Sequence, residues 1–198
     1  MANEETESRL VTEIAELFPR QKEWTEADYF ALPETNRLIE LSEGELIMPP
    51  HPTLSHQCIV GNLYTFFRSF VRARDLGIVV IAPYPVRLWP GKIREPDVLV
   101  FLHQHVDRLR EQFGGPPDLA VEVLSPSTRQ TDLVEKFAEY AQAGVSEYWR
   151  VDPEEQTIVV FVLRDGAYTL LVQAGAGGKV WSQLLEGFEL EVDRVFAR

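Results

Sequence analysis

Cysteine is almost absent from this chain: Cys58 is the single thiol among 198 residues. One thiol excludes an intramolecular disulfide and a cysteine-built zinc site within one chain, and Cys58 is expected to fill core space. Long apolar runs are missing as well. No stretch approaches the roughly 18 to 20 uninterrupted apolar residues of a membrane-spanning helix, and Met1 to Arg9 is acidic where a secretory leader is basic and then apolar. A soluble, cytoplasmic protein with no membrane partner is expected. Positive charge is scarce: 19 Lys and Arg face 31 Asp and Glu, a formal net charge of -12. Phosphate binding usually shows as a basic excess, so a broad nucleic-acid surface is disfavoured. Arg68, Arg72 and Arg74 do crowd one predicted helix end, where the helix dipole alone also favours them. Neither a phosphate-loop lysine pattern nor Gly-X-Gly-X-X-Gly occurs, and no internal repeat or low-complexity segment is present.

What is present suffices for one core, with hydrophobic residues at 45%. A single α/β domain over residues 1–198 is expected, with a helical cap at 1–35, a core at 36–172 and a C-terminal extension at 173–198. Helical spacing marks Thr6 to Phe18 and Thr25 to Leu32. Arg37 to Met48 reads as a hairpin turning at Ser42-Glu43-Gly44 and stopped by Pro49-Pro50-His51-Pro52. A long helix spans Thr53 to Asp75, capped by Thr53 or Ser55, with His56 heading an inward stripe of Ile59, Val60, Leu63, Phe67, Phe70 and Val71. Strands are expected at Ile78 to Ala82, Tyr84 to Trp89, Ile93 to Leu102 and Leu119 to Leu124, with a polar helix at Val106 to Phe113. A helix at Thr128 to Ala143, ended by Gly144, leads to strands at Glu147 to Val151, Thr157 to Leu163 and Tyr168 to Val172. Strand, helix, strand is a βαβ unit, so the sheet is mixed. The tail from Lys179 to Phe196 reads as an edge strand and a terminal turn.

Two carboxylates stand where charge is expensive. Asp97 precedes the apolar run Val98 to Leu102, and Glu122 lies inside Ala120-Val121-Glu122-Val123-Leu124. An uncompensated buried carboxylate costs several kcal/mol or takes up a proton, so a shared stabiliser is implied, most simply a divalent cation. If the two strands are neighbours, both acids reach one hard cation, with backbone carbonyls and water completing an oxygen shell. The alternative is a buried salt bridge to Arg94 or Arg87. On the following helix, Lys136 borders the buried stripe of Leu133, Phe137, Tyr140 and Ala141 and can reach the sheet edge; an i,i+4 pair with Asp132 is its plainer reading. Lysine is rare here, with four against fifteen arginines.

Pro96-Asp97 followed by Glu122-Val123-Leu124 resembles the PD-(D/E)XK nuclease superfamily. Glu122-Val123-Leu124-Ser125-Pro126-Ser127-Thr128, Asp132, Lys136, Tyr140-Ala141-Gln142-Ala143-Gly144-Val145 and Glu147-Tyr148-Trp149 are similar, more closely, to the Uma-two family of restriction-endonuclease-like proteins. The likeness runs from about Glu40 to Tyr168. It implies a restriction-endonuclease-like core, a mixed sheet flanked by helices, with added N-terminal helices and C-terminal strands. The position of the superfamily lysine holds Leu124, and the resemblance implies that Lys136 substitutes from the helix. It further implies that Glu45 and His56 belong to the site.

The expected activity is hydrolysis of phosphodiester bonds in DNA, with Mg²⁺, or Mn²⁺ in its place, held by Asp97, Glu122 and the Val123 carbonyl. Lys136 and His56 assist, and Glu45 is a further ligand or organises water. The alternatives are a non-catalytic member of the fold that binds nucleic acid or a protein, and a hydrolase of small phosphorylated substrates. The apolar tail from Val180 to Phe196 suggests a homodimer or higher homo-oligomer. His103-Gln104-His105 has ligand spacing on a strand face but is expected in solvent, and Tyr148 and Trp149 are expected in the core.

Overall fold

A computed structural model describes residues 18–33, 37–126 and 131–197, with backbone alone at 131 and 132. The helix expected at Thr6 to Phe18 lies outside these residues except for Phe18, and the first residues of the helix expected from Thr128 lie outside them too. Helix α1, Glu26–Phe30, starts at Thr25, whose hydroxyl accepts the Asp28 N–H while the Asp28 carboxylate accepts that of Thr25. This reciprocal cap satisfies two amides that a helix start leaves open. Strands β1, Glu40–Ser42, and β2, Glu45–Ile47, form the predicted hairpin. Ser42 pairs with Glu45, so Glu43-Gly44 is a two-residue turn, and its positive φ values of 52° and 82° match the twist of the strands.

Helix α2, Leu54–Ala73, is capped by the Thr53 side chain, which accepts the His56 N–H. It buries Ile59, Val60, Leu63, Phe67 and Val71, each worth about 1.5–3 kcal/mol of apolar burial. Beyond it come β3 (Gly77–Ile81), β4 (Val86–Trp89), β5 (Lys92–Arg94), β6 (Val98–Leu102) and β7 (Leu119–Val123). A π-helical turn at Thr131–Glu135 leads into α3, Lys136–Gln142. The chain continues through β8 (Glu147–Asp152), β9 (Thr157–Arg164), β10 (Ala167–Ala174), β11 (Lys179–Trp181), β12 (Glu189–Glu191) and α4 (Val192–Phe196).

Six strands form a mixed sheet in the order β10-β9-β8-β7-β6-β3, in which β7 and β8 are parallel, as the βαβ reading requires. A second sheet runs β2-β1-β5-β4, and β11 pairs with β12. Alternation sets the two faces of the large sheet. Val98, Val100, Val121 and Val123 pack with α2, whereas Leu99, Phe101 and Ala120 pack with Tyr140 of α3.

Three expectations need correction. The strand expected from Ile93 to Leu102 is two strands in different sheets, parted at Glu95-Pro96-Asp97. Pro96 has no N–H for a ladder, and the chain crosses between sheets there. In place of a polar helix at Val106 to Phe113, a 3₁₀ helix spans His103–Arg108, too short and tight to carry an amphipathic face. Cys58 is half-buried on α2 and belongs to no core cluster. The tail also does more than expected: Val180, Leu185, Phe188, Leu190, Val192 and Val195 join the main core. The apolar pattern that suggested an oligomer is therefore used within the chain. Among the described residues, no helix is long and apolar enough to cross a membrane.

Candidate active site

The crossing at Glu95-Pro96-Asp97 lies beside the end of β7. Val98 pairs with Val121, so one residue earlier Asp97 reaches the level of Glu122. Asp97 Oδ2 accepts the Val123 N–H at 2.8 Å, which continues the ladder with a carboxylate where the strand has ended. His56, in the first turn of α2, places Nε2 3.1 Å from the Val123 carbonyl and 3.5 Å from Asp97 Oδ2. A carbonyl only accepts, so Nε2 carries the hydrogen in this contact.

Glu122 faces the other side of the sheet with Ala120, toward α3. Lys136 and Tyr140, four residues apart and therefore on one helix face, converge on its Oε1 at 2.9 Å and 2.5 Å. Burial, followed by the Glu122 charge, pushes the Tyr140 hydroxyl well above its ordinary range, so it stays a donor. Asp97, Glu122 and Lys136 are all buried. These five positions, Asp97, Glu122, the Val123 carbonyl, Lys136 and His56, line one cavity of about 410 Å³. A neighbouring cleft of about 650 Å³ shares His56, Asp97 and the wall Pro49-Pro50-His51-Pro52.

Glu45 is not brought there. It stands on β2 at 45% side-chain exposure, with Lys22 at 3.8 Å, and lines neither cavity. Arg94 and Arg87 do not pair with the two strand acids either. Arg87 binds Glu26 at 2.9 Å, and Arg94 binds Glu40 at 2.8 Å and Glu139 at 2.7 Å. His103 is exposed and sits 3.1 Å from Asp75, while His105 is half-buried against Asp118 at 2.6 Å, so the pair does not form one ligand set. Along α2, Arg68 lies about 18 Å and Arg72 about 24 Å from His56, at about 1.5 Å per residue. Arg74 covers the Phe70 ring at 3.8 Å.

Three acids that line the cavity, Glu40, Glu95 and the exposed Glu154, were not singled out from the sequence. Glu40 opens β1 and is buried, with Lys136 Nζ 3.2 Å from its Oε1. Burial works to raise its carboxyl, but the charges of Lys136 and Arg94, with hydrogen bonds from Arg94 and the Glu95 amide, hold it below the usual range. Glu95 Oε1 lies 3.3 Å from the Ile39 amide and 3.2 Å from the Tyr29 hydroxyl. Its carboxyl is pushed up to about 7, by burial foremost; the Ile39 N–H opposes this and the Glu40 charge adds to it. Glu40 sits in Leu38-Ile39-Glu40-Leu41, a carboxylate inside an apolar run, which is the same signal that marked Asp97 and Glu122.

Among the described residues, no three His, Cys, Asp or Glu side chains converge on a single point. Two carboxylates and a carbonyl with its second lone pair are nonetheless a hard, oxygen-only donor set. That set fits Mg²⁺, which is commonly held through one or two carboxylates and keeps several waters.

Comparison with known proteins gives the chain a family and a structural neighbour. The family model Uma2, described as "Putative restriction endonuclease", matches residues 26–193. A crystal structure of a "putative nuclease belonging to DUF820" from Anabaena variabilis is similar, with a TM-score of 0.73 and 22% identity over 87% of this chain and 97% of that one. No curated protein matches the chain.

Proposed function

The chain belongs to the Uma2 family of putative restriction endonucleases, and from that premise we propose that it is a Mg²⁺-dependent nuclease cutting phosphodiester bonds in DNA. The observation that carries this reading is the meeting of Asp97, Glu122 and Lys136 at one cavity, from the crossing between β5 and β6, from strand β7 and from helix α3. Asp97, Glu122 and the Val123 carbonyl are the residues that hold the cation, with Mn²⁺ as a substitute. Bound there, it supplies polarisation of the scissile phosphate and acidification of a water.

The protein's own part follows from its contacts. Lys136 orients the attacking water and offsets charge that builds on the phosphoryl oxygens. His56 gives its Nε2–H to the Val123 carbonyl and so fixes that ligand from behind, as outer partners of metal ligands do. Tyr140 keeps Glu122 oriented through its hydroxyl. The acidic balance of the chain supports a second class of substrate, small phosphorylated molecules, which need no extended basic surface.

Nicking of supercoiled plasmid by the wild type with Mg²⁺, stopped by chelator and by Asp97→Ala in a protein that still folds, is the expected result. Nicking that survives Asp97→Ala overturns the assignment. Release of phosphate from nucleotides with no nicking selects the small-substrate reading.

A further inference from the structure

We propose that Glu40 is the positioning residue that keeps Lys136 at the cavity, a role that rests on the nuclease reading above. If Glu122 serves a cation, its carboxylate cannot also be the sole anchor of the Lys136 ammonium. A buried ammonium with no counter-charge is drawn out toward water. Glu40 supplies the second anchor, with its Oε1 3.2 Å from Lys136 Nζ while Glu122 Oε1 stands at 2.9 Å.

Glu40 is suited to this because it cannot turn away. Arg94 Nη1 binds its Oε2 at 2.8 Å, and the Glu95 amide donates to its Oε1 at 3.2 Å. Arg94, fully buried, is itself clamped by Glu139 through Nε at 2.7 Å and Nη2 at 2.8 Å. Lys92 closes the series on Glu139 at 2.7 Å. Charges thus alternate from the cavity inward: Glu122, Lys136, Glu40, Arg94, Glu139, Lys92. Every ionic group between Glu122 and Lys92 has an opposite charge on either side, which leaves Lys136 paired whichever way Glu122 is engaged.

The test compares Glu40→Gln with Glu139→Gln, which disturbs the same network without touching Lys136. Glu40→Gln is expected to lower kcat by about 10- to 100-fold, the range for outer partners of a metal site, with KM nearly unchanged. Glu139→Gln retains most of kcat, and Glu40→Gln adds no further loss in a Lys136→Met background. A second readout needs no activity. With only four lysines, ¹⁵N-lysine labelling resolves the side-chain ammonium signals, and Lys136→Met identifies the one of interest. A slowly exchanging Lys136 signal should persist in Glu139→Gln and vanish in Glu40→Gln.

Equal kcat losses in the two variants, full additivity with Lys136→Met, or an unchanged Lys136 signal in Glu40→Gln overturns the proposal. A wild type with no nuclease activity overturns the nuclease reading instead, and the ammonium signal then decides the role of Glu40 alone. Should Glu40→Gln fail to fold, the paired Glu40→Met, Arg94→Met variant removes both charges together and is read in the same way.

Discussion

Lys136 Nζ stands 2.9 Å from Glu122 Oε1 although 14 residues and a change from strand to helix separate them. The superfamily pattern has a lysine two residues beyond its acid; here that position, just past the end of β7, is the buried Leu124, and the ammonium beside Glu122 comes from α3. The positive charge beside Glu122 is thus supplied by a helix and not by the strand that carries the acid. Lys136→Met should therefore do two things. Nicking falls by at least about 100-fold, the usual loss when one group stabilising a transition state is removed. The metal-free protein loses about 3–5 kcal/mol, because Glu122 and Glu40 keep their burial without the ammonium. Mg²⁺ then raises the melting temperature of the variant by more than it raises that of wild type, as calorimetric scans with and without metal will check.

Asp97 separates binding from folding. Its Oδ2 accepts the Val123 N–H at 2.8 Å, and an amide side chain presents a carbonyl oxygen to the same donor. Asp97→Asn is expected to keep stability within about 1 kcal/mol of wild type, the worth of one such hydrogen bond. It should abolish Mg²⁺ binding in isothermal titration and nicking with it. A variant that binds Mg²⁺ as wild type does removes Asp97 from the ligand set.

How far the sequence carried this reading depends on range. Hydrophobic spacing placed α2 and the parallel pair β7 and β8, and turn chemistry placed the hairpin at Glu43-Gly44. One strand was expected from Ile93 through Pro96 to Leu102, because nothing local reports that β5, Lys92–Arg94, and the apolar β6 enter different sheets. Glu40 was passed over for Glu45, five residues on. Glu40 faces Arg94 of β5 and Lys136 of α3, at separations of 54 and 96 residues in the chain. Contacts of that range depend on how three elements meet, which local sequence does not encode.

Glu45 provides the converse case. The family likeness assigned it to the site, but it is half-exposed and its cation, Lys22, is 79% exposed. An ion pair of that kind contributes little. Glu45→Ala should leave nicking within about twofold of wild type, and it should change stability by no more than about 0.5 kcal/mol, as surface substitutions do. A loss comparable with that of Asp97→Asn places Glu45 at the chemistry in some other arrangement of the β1–β2 hairpin.

The acid limb of stability should be set in part by Glu139. Burial tends to raise its carboxyl, but hydrogen bonds and charge from Arg94, and then from Lys92, outweigh burial and hold it below the ordinary value of 4.5. A carboxyl lowered on folding contributes stability that is present above its unfolded pKa and is lost as pH falls through the folded one. Glu139→Gln removes that contribution and leaves Arg94 with Glu40 and Lys92 with Ser42 and the more distant Glu43. The variant is expected to be less stable than wild type by about 3 kcal/mol near pH 7, the scale for breaking a buried pair. The gap should narrow as pH falls below the ordinary 4.5 and through the lowered folded value, where wild-type Glu139 takes up its own proton. Urea unfolding of both proteins from pH 7 to pH 3 measures this directly. A gap of constant size across that range means that Glu139 is not the group titrating, and that its contribution is one of shape and hydrogen bonding rather than charge.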